Sequence, residues 1–206
     1  MRHQNIFFDL DGTLHKEDIF FSFILFLAKK RIFNTLILFP LLLQAVVLHL
    51  IFAKGKIGIN LALFCLTLGT NQTKQKQFFT EFTQQFKLTP FPKVMAELQQ
   101  HLSQQKQIFL ISGSPEPLIK PLYSELLTHR GVKLIGSQIT HKSYAMRLSE
   151  HCYAENKVKM LDRFFPKTNG FEIGYSDSLS DKPIFERCRK VVLIDKNGKI
   201  SKSINI

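Results

Sequence analysis

The chain has 206 residues, a formal net charge of +12 and three cysteines. That length is enough for one sizeable hydrophobic core and a small second module. The cysteines are odd in number and lack metal-ligand spacing, which argues against a disulfide framework or a cysteine metal site and favours free thiols in a reducing compartment. The positive charge favours an anionic partner: a nucleic acid, a membrane surface or a phosphorylated substrate.

The first predicted element is a short buried strand at residues 6–8, too short for the apolar region of a signal peptide and followed by no cleavage site. The strand continues into the sequence Asp-Leu-Asp-Gly-Thr-Leu, which begins at Asp9. Gly12 allows the chain to turn, so that the carboxylates of Asp9 and Asp11 converge on one point. Because adjacent like charges repel, this arrangement indicates a metal site or a reaction rather than an ordinary acidic turn.

The next segment, residues 19–80, contains no Asp or Glu and seven Lys or Arg residues. Within it, residues 32–53 are almost wholly apolar, and a helix of that length would span roughly 33 Å, enough to cross a bilayer. The flanking stretches 19–28 and 57–68 are also apolar. A buried core helix is the alternative, and Pro40 is placed to break the run near its first third.

The remaining elements alternate between helices and strands. The pattern predicts helices at 93–106, 118–128 and 155–165, strands at 107–111, 133–139, 171–175 and 191–194, a polar hairpin at 141–151 and a tight turn at 196–199. This alternation is typical of an α/β fold with a Rossmann-like, mostly parallel sheet flanked by helices.

Polar and charged residues recur at or near the ends of these strands. They are Asp9 with Asp11, Ser112 with Gly113, Lys157, and Asp177 with Asp181. Their order and chemistry resemble the haloacid-dehalogenase-like phosphatase superfamily over almost the whole chain. The motif that begins at Asp9 is highly specific and the segment around Asp177 moderately so, whereas Ser112 and Lys157 are weak signals alone.

The resemblance implies a phosphomonoesterase. Asp9 would attack the phosphoryl group to form an aspartyl-phosphate. Asp11 would protonate the leaving alkoxide and then activate water. Ser112, the Gly113 amide and Lys157 would bind the phosphoryl oxygens, which carry the developing negative charge.

The resemblance also implies a Mg²⁺ cofactor. The carboxylates of Asp9 and Asp177 and the carbonyl of Asp11 would hold the ion, since Mg²⁺ prefers oxygen ligands. Asp181 would support the site from outside it. Asp18 has two equally weighted interpretations: a residue that closes over the substrate, or the N-cap of the next helix.

In this superfamily an insert after the first strand forms a cap that selects the substrate. Here a helical cap at residues 15–90 would interrupt a catalytic core of residues 1–14 and 91–206. Because Asp9 precedes the apolar run and Asp177 follows it, the chain must return to the side it left. We therefore expect a re-entrant or interfacial apolar hairpin at about residues 19–70, flanked by basic residues on the cytoplasmic side.

A narrower resemblance is to phosphatidylglycerophosphatase C of bacterial inner membranes. It rests on the first motif with His15, the apolar insert, the Ser112 and Asp177 segments and Met146-Arg147. It implies removal of the terminal phosphate of phosphatidylglycerophosphate. Arg147 would pair with a phosphate oxygen, although a structural role is equally weighted. His15 is expected at the mouth of the crevice.

These resemblances predict an inner-membrane protein with its catalytic domain on the cytoplasmic side. The expected partners are an anionic phospholipid substrate and a membrane surface, with no obligate protein partner. Nucleic acid is not expected, because the basic residues alternate with long aliphatic runs. One alternative is a phosphatase of a soluble phosphomonoester such as phosphoserine. Another is a non-catalytic membrane-binding protein that retains the fold.

Overall fold

The computed structural model describes residues 5–52 and 55–205. Some predicted features lie outside the described residues: the first four residues of the core, the end of the apolar run at Ala53, and the basic residue Lys54 that follows it.

The described residues form seven strands in one sheet. The strands are β1 (Asn5–Phe8), β2 (Gln107–Pro115), β3 (Val132–Lys142), β4 (Ala145–Glu150), β5 (Phe171–Ser176), β6 (Cys188–Ile194) and β7 (Ile200–Asn205). Their order is β4-β3-β2-β1-β5-β6-β7. Strand β1 pairs in parallel with β2 and β5, and β5 pairs in parallel with β6. The pairs β3–β4 and β6–β7 are antiparallel. The predicted α/β fold with a mostly parallel sheet is confirmed.

Ten α-helices and one short 3₁₀ helix are present in the described part of the chain. The helices are α1 (Ile19–Lys30), α2 (Ile32–Ile37), α3 (Phe39–Ile51), α4 (Ile57–Thr67), α5 (Gln72–Gln85), α6 (Pro92–Ser103), α7 (Glu116–Leu122), α8 (Ser124–Leu127), α9 (Glu155–Phe164) and α10 (Lys182–Phe185), with the 3₁₀ helix at Leu179–Asp181.

The chain divides into two compact units. The first comprises residues 1–18, 88–136 and 152–206, and the second comprises residues 19–87 and 137–151. Strand β3 contributes to both, because the division falls after Gly136. The catalytic and cap roles that the sequence suggests for these parts stay predictions.

The first unit is built around β1, which lies in the middle of the sheet. Phe7 is fully buried and packs on Phe171 with ring centroids 5.8 Å apart. Phe8 points to the opposite face of the sheet and stacks on Tyr175 at 4.3 Å. Burying one large apolar side chain contributes about 1.5–3 kcal/mol, so these contacts fix the strand that carries the first acidic motif.

The second unit contains the apolar segment. Two short helices stand in place of the single long helix that the length of this segment would allow. Helix α2 ends at Ile37 and α3 begins at Phe39, with Pro40 in its first turn. Proline is tolerated at that position because the first N–H groups of a helix have no intrahelical partner. Helix α3 has 13 residues, a length of about 20 Å against a bilayer core of about 30 Å.

No helix within residues 5–52 and 55–205 is both long enough and apolar enough to span a membrane. The predicted location in a bacterial inner membrane is therefore wrong. The physical reason is the break at Leu38, which divides the apolar run into two short helices.

The short helices of the second unit pack closely and leave apolar side chains outside. A Cβ atom on Gly58 of α4 would lie 2.5 Å from the carbonyl oxygen of Ala45 in α3. Phe33, Ile37 and Leu50 of α2 and α3 are 77%, 76% and 73% exposed. Helices α2 and α3 therefore bury little of the hydrophobic surface that their sequence supplies.

Two strands differ from the prediction. Strand β2 continues to Pro115 instead of ending at Ile111. Strand β7 follows the predicted tight turn and is not among the predicted strands. It is an edge strand of the sheet and pairs on one side with β6.

Candidate active site

The carboxyl ends of the three central strands meet at one edge of the sheet in the first unit. Asp9 directly follows β1, Ser112 is the sixth of the nine residues of β2, and Asp177 directly follows β5. The Asp9 amide donates a hydrogen bond to the Tyr175 carbonyl at 2.9 Å, which ties the ends of β1 and β5 together. Ligand sites of open α/β sheets lie at this edge.

Asp9 forms a buried ion pair with a lysine from α9. The Lys157 ammonium donates to Asp9 Oδ1 at 2.7 Å and lies 2.7 Å and 2.8 Å from the two oxygens of Asp181. Asp181 Oδ2 also accepts from the Ser176 hydroxyl at 2.7 Å. An ammonium group has three N–H donors, so Lys157 retains one for a further acceptor.

Electrostatics keep this lysine charged. Burial alone would lower the pKa of Lys157, but the carboxylates of Asp9 and Asp181 outweigh it and raise the pKa above the usual range. Burial raises the pKa of the Asp9 carboxyl, and the positive charge of Lys157 opposes that shift. The ammonium is therefore a permanent positive charge beside Asp9.

Asp177 is held against the turn that follows Asp11. The Thr13 hydroxyl lies 3.2 Å from Asp177 Oδ1, and it accepts a hydrogen bond from the Asp177 amide at 2.9 Å. Gly12 has φ +73°, and a Cβ atom there would lie 2.4 Å from Asp177 Oδ2. The glycine thus provides both the left-handed turn and the space for the carboxylate.

Asp11 and Ser112 contact each other directly. The Ser112 hydroxyl donates to Asp11 Oδ2 at 2.8 Å, although the sequence predicts that it binds a phosphoryl oxygen. The same hydroxyl has a single proton, so it cannot donate to both acceptors at once. Gly113 lies within β2 rather than in a turn.

Three further residues, His15, Glu17 and Tyr123, lie around Asp11, and the sequence assigns none of them a role in the reaction. His15, expected at the crevice mouth, is fully buried, with Nε2 4.0 Å from Asp11 Oδ1 and Nδ1 3.7 Å from Glu17 Oε2. Its ring centroid lies 5.9 Å from that of Tyr123. Burial, with the charges of Asp11, Asp9 and Glu17, raises the pKa of Tyr123 well above its usual value. The sequence signal for this group of residues is one polar residue, His15, directly after the acidic motif.

Two other predicted residues are not among these contacts. Arg147 is exposed on β4 in the second unit, opposite Thr140 of β3. Asp18 directly precedes α1, and both of its interpretations remain open. Their roles stay predictions.

A metal ion must be judged from the donor atoms. No group of three or more His, Cys, Asp or Glu side chains within residues 5–52 and 55–205 is arranged to hold a metal. The predicted set needs only two such side chains, Asp9 and Asp177, with the Asp11 main-chain carbonyl and water. All these donors are oxygen atoms, and Asp177 is already fixed against the turn that contains Asp11. The residues therefore fit Mg²⁺, which retains several waters in proteins.

Comparisons with solved structures agree with the α/β fold. A protein of unknown function from Bordetella pertussis Tohama I is 17% identical with a TM-score of 0.66, covering 93% of this chain and 90% of that one. A phosphoserine phosphohydrolase-like protein from Francisella tularensis subsp. tularensis SCHU S4 is 15% identical, with a TM-score of 0.63 and coverages of 94% and 88%. A phosphoserine phosphatase in its apo form is 10% identical, with a TM-score of 0.63 and coverages of 94% and 86%. At these identities the likeness shows the fold.

The family itself comes from a sequence model. The model described as haloacid dehalogenase-like hydrolase matches residues 6–186, which include the acidic motif, Ser112, Lys157 and Asp177. The narrower resemblance to phosphatidylglycerophosphatase C stays a prediction. With most of its length matched, the chain belongs to the haloacid dehalogenase-like hydrolases.

Proposed function

We propose that this hydrolase is a Mg²⁺-dependent phosphatase that cleaves a water-soluble phosphomonoester, such as phosphoserine, through an aspartyl-phosphate. The observation that carries the proposal is the pairing of Asp9 with Lys157 beside the pairing of Asp11 with Ser112. The first pair suits a nucleophile with a fixed positive charge beside it. The second suits an acid next to a hydroxyl donor.

The reaction would take two steps. Lys157 engages Asp9 Oδ1, which leaves Oδ2 to attack phosphorus. As the new O–P bond forms, the ester P–O bond breaks and the Asp11 carboxyl gives its proton to the departing alkoxide. A water molecule then attacks the aspartyl-phosphate, gives its proton to Asp11 and releases inorganic phosphate.

The charges of the site favour a cation cofactor. Asp9, Asp11, Asp177 and Asp181 bring four carboxylates to the site, and the Lys157 ammonium lies against two of them, Asp9 and Asp181. A phosphoryl group adds further negative charge. When bound, Mg²⁺ would neutralise part of that charge and orient the phosphoryl oxygens. Asp9, Asp177 and the Asp11 carbonyl are the groups that would hold it.

Ser112 would connect substrate binding to proton transfer. Without a substrate its hydroxyl donates to Asp11. A bound phosphoryl oxygen would compete for the same proton, and the rotation of the hydroxyl would release Asp11 to act as an acid. Lys157, with one donor remaining, would bind a second phosphoryl oxygen.

A soluble substrate is favoured by the structural relatives, two of which are described as phosphoserine phosphatase or a protein like it. A lipid phosphomonoester, phosphatidylglycerophosphate, is the second candidate. It is favoured by the exposed apolar side chains of α2 and α3 and would make an anionic phospholipid the partner. Its test is a direct comparison of the two substrates.

The central experiment measures phosphate release by the wild type and by Asp9→Asn, with and without Mg²⁺. We expect release only from the wild type with Mg²⁺, because an amide cannot form the aspartyl-phosphate. Asp162→Asn is the matched control, since Asp162 is a partly exposed carboxylate on α9 that pairs with Arg187. Equal release by the wild type and Asp9→Asn would contradict the proposal.

The substrate arms use phosphoserine in buffer and phosphatidylglycerophosphate in mixed detergent micelles. A kcat/KM at least about tenfold higher for phosphoserine would support the soluble class. The reverse ratio would favour the lipid candidate and leave the catalytic assignment intact.

A further inference from the structure

We propose that His15, with Glu17 behind it, is a positioning residue that holds the Asp11 carboxyl in the orientation required to protonate the leaving group. This inference deepens the proposed function and rests on it. Three features of the first unit support it: the burial of the imidazole, its place between two carboxylates, and the way in which the Glu17 carboxylate is anchored.

The imidazole lies in a closed environment. His15 is fully buried, and among the described residues neither ring nitrogen has a hydrogen-bond partner. Tyr123, itself 8% exposed, packs beside the ring. A polar group buried without hydrogen bonds is destabilising, so its presence calls for a compensating role.

The two carboxylates lie on opposite sides of the imidazole. Nε2 faces Asp11 Oδ1 at 4.0 Å, and Nδ1 faces Glu17 Oε2 at 3.7 Å. These distances are longer than hydrogen bonds. Contacts of this kind often tighten when a substrate binds.

Main-chain contacts before and after His15 determine the position of its imidazole. His15 forms bridge pairs with Asp11 and with Pro90. Glu17 Oε2 accepts a hydrogen bond from the Thr89 amide at 2.8 Å. The far carboxylate is therefore anchored, and the ring between it and Asp11 has little freedom to move.

The need for this support arises during the reaction. In the absence of a substrate, Ser112 holds Asp11 Oδ2. Once that hydroxyl turns to a phosphoryl oxygen, the imidazole of His15 still fills the space beside Asp11 Oδ1. Removal of the ring would open that space to the carboxyl, and a misplacement of about 1 Å can lower a rate by roughly 100-fold.

The test uses the dependence on the leaving group. An alkyl phosphate such as phosphoserine needs a proton on its departing oxygen, whereas p-nitrophenyl phosphate releases a weakly basic phenolate that does not. We expect His15→Leu to lower kcat/KM for phosphoserine by roughly 10- to 100-fold and for p-nitrophenyl phosphate by less than about threefold. His15→Gln, whose amide can reach toward Asp11, should recover part of the loss.

Two further variants keep the inference falsifiable if His15→Leu fails to fold. Glu17→Gln removes the anchored charge at a partly exposed position and should produce a smaller loss that is again selective for phosphoserine. His101→Gln alters another buried histidine, on α6 and away from Asp11, and should leave the ratio of the two substrates unchanged.

The outcomes separate this inference from the proposed function. If the wild type hydrolyses neither substrate, the proposed function fails. If the wild type is active but His15→Leu or Glu17→Gln lowers kcat/KM equally for both substrates, or for neither, then the residues are structural and the inference is overturned.

Discussion

Gly12 lies at a position where no side chain can be accommodated. Its φ of +73° belongs to the left-handed region, and its Cα faces the Asp177 carboxylate. The same glycine therefore determines both the direction of the turn and how closely the Asp177 carboxylate approaches that turn. Its replacement should affect catalysis more than folding.

We expect Gly12→Ala to lose activity by roughly 100-fold or more, because the new methyl group would displace Asp177. Gly69→Ala is a matched control in the second unit, with φ +81° and no atom within 4 Å of an added Cβ. Both variants should lose about 1–2 kcal/mol of unfolding free energy from backbone strain. The measurements are phosphate release and denaturant unfolding, and equal activity of the two variants would contradict this explanation.

Helix α6 and strand β5 are joined by a buried polar chain. The Tyr175 hydroxyl donates its one proton to Glu97 Oε2 at 3.0 Å. His101 Nε2 lies 3.0 Å from the Tyr175 hydroxyl oxygen and must therefore be the donor to that oxygen. His101 Nδ1 then carries no proton, and it has no hydrogen-bond partner among the described residues. Protonation of His101 would place a buried charge at Nδ1.

Burial, reinforced by Lys106, lowers the pKa of His101, while Glu97 and Glu172 act in the opposite direction. The unfolded chain thus binds a proton that the folded chain does not, and this histidine destabilises the fold as the pH falls below about 6.5.

As the pH falls from 7 to 5, we expect the unfolding free energy of His101→Gln to rise relative to that of the wild type. Denaturant titrations across that range measure the difference. The exposed His129 provides a control, and His129→Gln should show the same pH dependence as the wild type. A constant difference between His101→Gln and the wild type would contradict the assignment of a lowered pKa.

At the scale of the whole molecule, the site joins parts that are far apart along the chain. Asp9, Ser112, Lys157 and Asp177 come from three strand ends and one helix of the first unit. Like charges at this edge oppose folding unless a cation is bound. Mg²⁺ should therefore stabilise the folded chain as well as support catalysis.

We expect saturating Mg²⁺, at about 100 times its Kd, to stabilise the wild type by about 2.7 kcal/mol. For a chain of this length the melting temperature should rise by roughly 5–10 °C. Asp177→Asn should remove most of that rise, whereas Asp162→Asn should keep it. Calorimetry with and without EDTA measures the shift, and an unchanged shift in Asp177→Asn would remove Asp177 from the proposed ligands.

The sequence is informative where the signal is local. The acidic motif at Asp9 and the break signalled by Pro40 both depend on residues close together in the chain. The Asn-Gly turn at residues 197–198 is typical of a hairpin, which requires a strand after it, as β7 provides, although residues 200–205 carry no regular alternation.

Tertiary partners were harder to predict. Lys157 was a weak signal because its contact with Asp9 spans 148 residues. The polarity of His15 suggested an exposed position, whereas Tyr123, which lies between α7 and α8, packs beside its ring. The apolar run indicated a re-entrant or interfacial hairpin, because hydropathy alone does not show how a run divides into helices or what its side chains contact.

The central position of β1 has a consequence for biosynthesis. Its partners β2 and β5 begin about 100 and 165 residues later in the chain. At a translation rate of roughly 5–20 residues per second, the first strand leaves the ribosome several seconds before β2 exists. During that interval Ile6, Phe7 and Phe8 have no partner strand to join. A nascent chain stalled before residue 107 should therefore expose an apolar strand that chaperones recognise.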